Sequence, residues 1–189
     1  MQLLGYQRGF LPVRYLGVPL FSGRLTKGDC ELLQEKITER IEGWAARCLS
    51  FAGRVQLIKS VLVRVGAYWG RMFMMSEGVM NSIERKLQMF LWSGGLECFR
   101  KAKVSWKEVC KLREEGGLGI PRLRDICVAS GFRYLWQLLS NHRSVWTRWV
   151  HSYHIRGVSL WEVSEPHDCA WYWRHLLRMR HNILPYVFH

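Results

Sequence analysis

The chain has 189 residues, 49% of them apolar, and carries 28 Lys and Arg against 15 Asp and Glu, a formal net charge of +13. That length suits one ordinary domain or two small ones, and the apolar fraction supplies a core and excludes a largely disordered chain. The excess of positive charge favours polyanionic partners, nucleic acid ahead of acidic membrane, with a basic protein that binds nothing specific as the plain alternative.

The stretch FLPVRYLGVPLFSGRL (residues 10–25) alternates apolar with other residues. Pro12 and Pro19 suit strand ends and Gly17 suits a bend or bulge, which predicts a short β-hairpin. From Thr26 the period becomes helical. Leu33, Ile37, Ile41, Trp44 and Cys48 share one face, and Glu35, Lys36, Glu39, Arg40 and Glu42 decorate the others. A second helix is predicted from about Phe51 to Trp69. A third starts near Ser76, with Val79, Ile83, Leu87 and Phe90 on one face, and stops at Ser93–Gly94–Gly95. Three amphipathic helices joined by short links are expected to form a small bundle.

The following stretch is basic and irregular, with a short helix expected around Trp106 to Leu112 and a turn at GGLG, Gly116 to Gly119, before Pro121. Further helices are predicted at about Leu123–Leu139 and Ser144–Tyr153, then a last one capped by Asp168. The break between Gly95 and Lys103 is the predicted subdomain boundary.

No self-contained active site is legible. Metal-dependent nucleotidyl transfer needs clustered carboxylates, but Asp29, Asp125 and Asp168 are far apart in the sequence. The six cysteines form no C-x-x-C, and His167–Cys169 and His151–His154 would each offer two ligands where a structural zinc needs four, so reduced thiols are expected. GGLGI lacks the Gly-Lys-Ser/Thr ending of a phosphate loop and reads as a turn. The N-terminus has no signal-like apolar core, and Arg64 and Arg71 interrupt the most apolar stretch, so no membrane partner is expected. Trp44, Trp69 and Trp92 read as core. The tryptophans from Trp136 to Trp173 lie among arginines, which fits a core with snorkelling cations or, alternatively, a base-stacking surface.

Arg54 is the oddity of the second helix. In LSFAGRVQLIKSVL (Leu49 to Leu62) it falls on the apolar stripe, one turn before Ile58 and close to the predicted cap Ser50. A cation there sits at the positive end of the helix dipole and calls for a negative neighbour. Either Glu39 or Glu42 pairs with it, or Ser50, Gly53 and Arg54 together hold a phosphate. Lys59 and Arg64 are expected to be the more exposed phosphate contacts.

Several strings, in order, resemble one family. LPVRYLGVPL, LSFAGRVQLIKSVL, FLWSG, VSWKEVC and EEGGLGI are similar to the region after the catalytic palm in reverse transcriptases of plant non-LTR, LINE-type retrotransposons, and SLWEV and DCAWYWRHLLRMR are similar to the segment leading toward that family's zinc-binding region. The resemblance implies a mainly α fold: a primer-grip-like β-hairpin at the end of the palm (1–25), a helical thumb-like bundle (26–95) and a helical connection region (96–189). It implies primer-grip roles for Arg14, Tyr15, Leu16 and Gly17. Nucleic-acid contacts would come from Ser50, Gly53, Arg54, Lys59, Arg64, Lys101, Lys103 and Lys107. The family's catalytic aspartates and their Mg2+ would lie before Met1, so neither catalysis nor a cofactor is expected of this chain. The implied partners are a template–primer duplex or RNA–DNA hybrid and the rest of a reverse transcriptase, in the nucleus or cytoplasm. An inert retrotransposon relic and a Trp-rich protein-interaction module are the alternatives.

Overall fold

The computed structural model describes residues 13–20, 28–73, 75–96, 102–140, 143–165 and 170–187. The expectations for Pro12, Lys101, His167, Asp168, Cys169 and the N-terminal ten residues lie outside them. The fold is mainly helical, as expected, behind one small hairpin.

Strands β1 (Val13–Tyr15) and β2 (Val18–Leu20) pair antiparallel with Tyr15 opposite Val18, leaving a two-residue turn of Leu16 and Gly17. Both turn residues have positive φ, 50° and 81°. Such a turn matches the twist of the strands, but Leu in place of the usual Asn or Gly carries a β-carbon into left-handed space. Pro19 lies inside β2, where this free-standing hairpin asks it for no further strand partner.

Helix α1 (Glu31–Ala45) buries Leu33, Ile37 and Ile41, the expected stripe. It ends before Cys48, which is exposed with φ 44°, so Cys48 leaves the stripe that the periodicity gave it. Ser50 then caps α2 (Phe51–Leu57), its hydroxyl accepting from the Gly53 N–H at 3.2 Å. The predicted second helix continues without a break through α3 (Val63–Met72), but it is π-helical from Ile58 to Leu62. Helix α4 (Glu77–Ser93) closes the bundle and ends at Gly94 in left-handed conformation, donating to the Phe90 carbonyl.

The apolar cluster does not stop at residue 95. Trp106 and Val109 of the short α5 (Trp106–Val109), Ile120, and Leu123 and Cys127 of α6 (Leu123–Leu139) belong to the same cluster as α1, α3 and α4. A separate second cluster begins further along α6, with Leu135 and Leu138. It gathers Val150 of α7 (Val145–Val150), Ile155, Leu160, Val163 and one side of α8 (Trp171–Val187). The two cores therefore meet along α6 rather than between Gly95 and Lys103.

Glycine sets the α3–α6 approach. A β-carbon on Gly66 would stand 2.6 Å from Leu123 Cδ2, and one on Gly70 would stand 2.9 Å from Cys127 Sγ. Spaced one turn apart, these glycines form a notch into which α6 fits at closer range than side chains allow.

Among the described residues, no helix is long and apolar enough to cross a membrane.

Candidate nucleic-acid interface

The hairpin turn is held against the bundle by its carbonyl groups. The Tyr68 hydroxyl of α3 donates to the Leu16 carbonyl at 2.9 Å, and Lys36 Nζ of α1 lies 3.5 Å from the Gly17 carbonyl. Together they frame a cleft of about 740 Å3 whose walls include Leu16, Gly17, Lys36, Arg40, Arg64 and Tyr68. Among the described residues, Glu39 is the one carboxylate in the lining, against three cations. The spacing explains the convergence: Lys36 and Arg40 lie four apart on α1, as Ser60, Arg64 and Tyr68 do along the next helix, so each set shares a face.

Of the residues expected to contact nucleic acid, Leu16, Gly17 and Arg64 meet here. Tyr15 is 58% exposed and does not line the cleft. Arg14 lies in β1, and its side chain is outside the described atoms.

Arg54 lies elsewhere. It lines a second cleft, of about 690 Å3, with Glu42, Trp44, Ser93 and Gly94. Its Nη1 is so near Gly94 that a β-carbon there would be 3.2 Å away, and its guanidinium stands 6.0 Å from the Phe51 ring centroid. Among the described residues no carboxylate is within ion-pair distance of it, so the pairing with Glu39 or Glu42 is not formed. The negative neighbour is the carboxyl-terminal end of α4, whose last carbonyls carry the partial negative charge of the helix. Its buried Nε has no hydrogen-bond partner. Ser50 and Gly53 are occupied with each other in the cap, which leaves that hydroxyl committed to the helix.

Lys59 falls in the π-helical segment beside the GGLG turn, its Nζ 3.7 Å from where a β-carbon of Gly119 would be. Partial burial first, and the Arg113 charge second, lower its pKa. The turn's own N–H groups are spent internally: Gly117 donates to Leu112, Leu118 to Val109 and Gly119 to Lys111. No backbone cradle for phosphate is left there, as the turn reading expects. Lys103 and Lys107 are exposed around α5 and line neither cleft.

Among the described residues no group of three or more His, Cys, Asp or Glu side chains could hold a metal ion. His151 Nε2 is 3.2 Å from the Leu138 carbonyl, and His154 stacks on Trp173. Cys30, Cys48, Cys110 and Cys127 are free thiols, and burial pushes Cys30 up to about 11 and Cys110 up to about 12.

Sequence reasoning missed Lys36, Arg40 and Tyr68. The first two looked like ordinary helix decoration, and only the docked hairpin turns them into the wall of a cleft. The C-terminal tryptophans divide: Trp173 is buried, Trp146, Trp161 and Trp171 are half-buried, and Trp136 and Trp149 are 54% and 52% exposed.

The chain is similar to an Arabidopsis thaliana protein named "Putative ribonuclease H protein", at 29% identity over 142 residues. The match covers 75% of this chain but only 23% of that relative, so the chain corresponds to less than a quarter of the relative's length. No protein-family model matches the chain. No solved structure matches it.

Proposed function

We infer that this chain is the part of a LINE-type reverse transcriptase that follows the catalytic palm, and that it binds a template–primer duplex through phosphate contacts without polymerising. The observation that carries the reading is the cleft in which the Leu16–Gly17 turn, Lys36, Arg40 and Arg64 converge. Cations on two rigid helices flanking a strained turn suit a regularly spaced polyanion, and such contacts are sequence-tolerant. The net charge of +13 acts in the same direction at longer range. The resemblance of RYLGVPL to the primer-grip block supplies the orientation: the turn faces the primer strand and the helices run along the duplex. The relative's name is that of a nuclease of RNA, which fits a nucleic-acid setting. Lys59 beside Arg113 offers a further phosphate contact, whereas Arg54 serves the bundle.

The test is fluorescence anisotropy of a labelled RNA–DNA hybrid titrated with the whole chain, comparing Arg64→Ala and Lys107→Ala. Loss concentrated in Arg64→Ala supports the cleft. Equal loss in both variants means a diffuse basic surface and overturns it.

A further inference from the structure

A second feature, on the other core, is unrelated to the cleft. Trp149 and Tyr153, one helical turn apart, lie with their rings almost parallel, 7° between planes and 5.6 Å between centroids. Stacked rings are ordinarily buried, yet these are 52% and 59% exposed. The stack is fixed from both sides. His154 stands edge-on to Trp149 and to Tyr153 and stacks at 4.9 Å on Trp173, which is buried in the second core. Arg156 donates through Nε to the Tyr153 carbonyl at 3.0 Å and holds its guanidinium carbon 5.9 Å from the Tyr153 ring. The helix turns π-helical beneath the pair, from His151 to Ile155.

Charge selects the occupant. From Ile126 to Trp161 the sequence has no Asp or Glu and contains Arg133, Arg143, Arg148 and Arg156, all exposed. A protein-docking face carries a polar rim but has no need of uniform positive charge. Preformed aromatic faces flanked along the chain by arginines are what unpaired nucleotides require: π-faces for the bases, guanidinium groups for the phosphates.

We propose that Trp149 and Tyr153 form a stacking platform for unpaired bases of single-stranded nucleic acid, with Arg148 and Arg156 on the adjoining phosphates. A base extends the existing Trp–Tyr stack. Recognition is tolerant of sequence because every base has a π-face. The platform stands on the second core's geometry and does not depend on the duplex reading of the cleft.

The experiment titrates the whole chain against a short labelled single strand, in RNA and DNA versions, following anisotropy and tryptophan emission. A strand of the same length with abasic sites in place of the bases serves as a third probe. Trp149→Ala and Tyr153→Leu are compared with wild type, each checked by thermal melting. The expected result is quenching on binding, abasic strand bound roughly tenfold or more weakly, and a loss of about tenfold or more in each variant. Tyr153→Leu keeps apolar bulk and exposure, so it folds and separates stacking from mere greasiness. The proposal is overturned if the abasic strand binds equally well, which means phosphate contacts only. It is equally overturned if Tyr153→Leu binds as wild type or if the folded chain binds no single strand, leaving the face to a protein partner.

Discussion

The Tyr68 hydroxyl donates to the Leu16 carbonyl at 2.9 Å, joining residues 52 apart in the chain and fixing the hairpin turn against α3. The bond is exposed, so Tyr68→Phe is expected to cost no more than about 0.5–1 kcal/mol of stability. Its larger effect is expected on binding: with the turn loosened, hybrid affinity falls several-fold while the melting temperature barely moves. Titration and calorimetry on one preparation check both.

Leu16 itself is strained and 73% exposed, with φ 50°. Leu16→Asn relieves the left-handed conformation and loses almost no burial, so it is expected to stabilise the chain by about 1 kcal/mol. An apolar residue at such a strained, exposed position points to use of the side chain, and hybrid binding is therefore expected to weaken in the same variant. Chemical denaturation and anisotropy read the two effects separately.

The glycines of the bundle divide by what surrounds them. A β-carbon on Gly43 meets nothing within 4 Å, so Gly43→Ala should stabilise α1 by about 0.5–1 kcal/mol. At Gly66 the same atom meets the fully buried Leu123 at 2.6 Å, and Gly66→Ala should cost about 1–3 kcal/mol despite its better helix propensity. Gly131 stands between these cases, because its obstacle is the end of the flexible Met179 side chain, at 2.8 Å. Gly131→Ala should be nearly neutral. Denaturation midpoints of the three variants give the ranking.

Arg54→Ala is expected to lower the melting temperature and leave the salt dependence of hybrid binding as it is. The guanidinium sits at the end of α4 with Phe51 beside it, and roughly 15 Å of helix separates it from Arg64. Arg54→Lys should restore little, since a compact ammonium cannot lie flat between the ring and Gly94. A flattened salt slope in a normally melting Arg54→Ala would place this residue on the phosphates instead.

Acid should weaken the second core. His154 and His175 both have pKa values lowered from 6.5, by burial first and by Arg156 and Arg178 second. The unfolded chain therefore binds more protons just below pH 6.5, and stability rises with pH through that window. Melting temperatures are expected to fall as pH drops from 6.5 toward the folded-state values, to level off below them, and to change little above 6.5. His154→Gln should flatten part of the slope.

The periodic helices could be read from the sequence because single stripes such as Leu33–Ile37–Ile41 decide them locally. Helix α6 matched its expected limits, Leu123–Leu139, for the same reason. The π-helical segments were not legible: Ile58–Leu62 and His151–Ile155 keep apolar spacing close to that of an ordinary helix, and lengthening the hydrogen-bond loop by one residue leaves no compositional mark. The core boundary was missed because Gly95–Lys103 looks like a linker, while Trp106 and Ile120 return to the first cluster from beyond it. Cys127 and Gly131 are contact points of α6, one for the Gly70 notch and one for Met179 of α8. In the site, Arg64 was visible as an exposed cation on an amphipathic helix. Lys36 and Arg40 were not, since only the docking of a distant hairpin gives them a common purpose.

The proposed task of Lys36, Arg40 and Arg64 is to hold phosphates in the hairpin cleft. The most direct measurement is the slope of log K against log salt for RNA–DNA hybrid binding, in wild type and Arg64→Gln. A wild-type slope of about −3 or steeper and a variant slope shallower by about 1 are expected, with unchanged melting. Identical slopes in two equally folded proteins would contradict it.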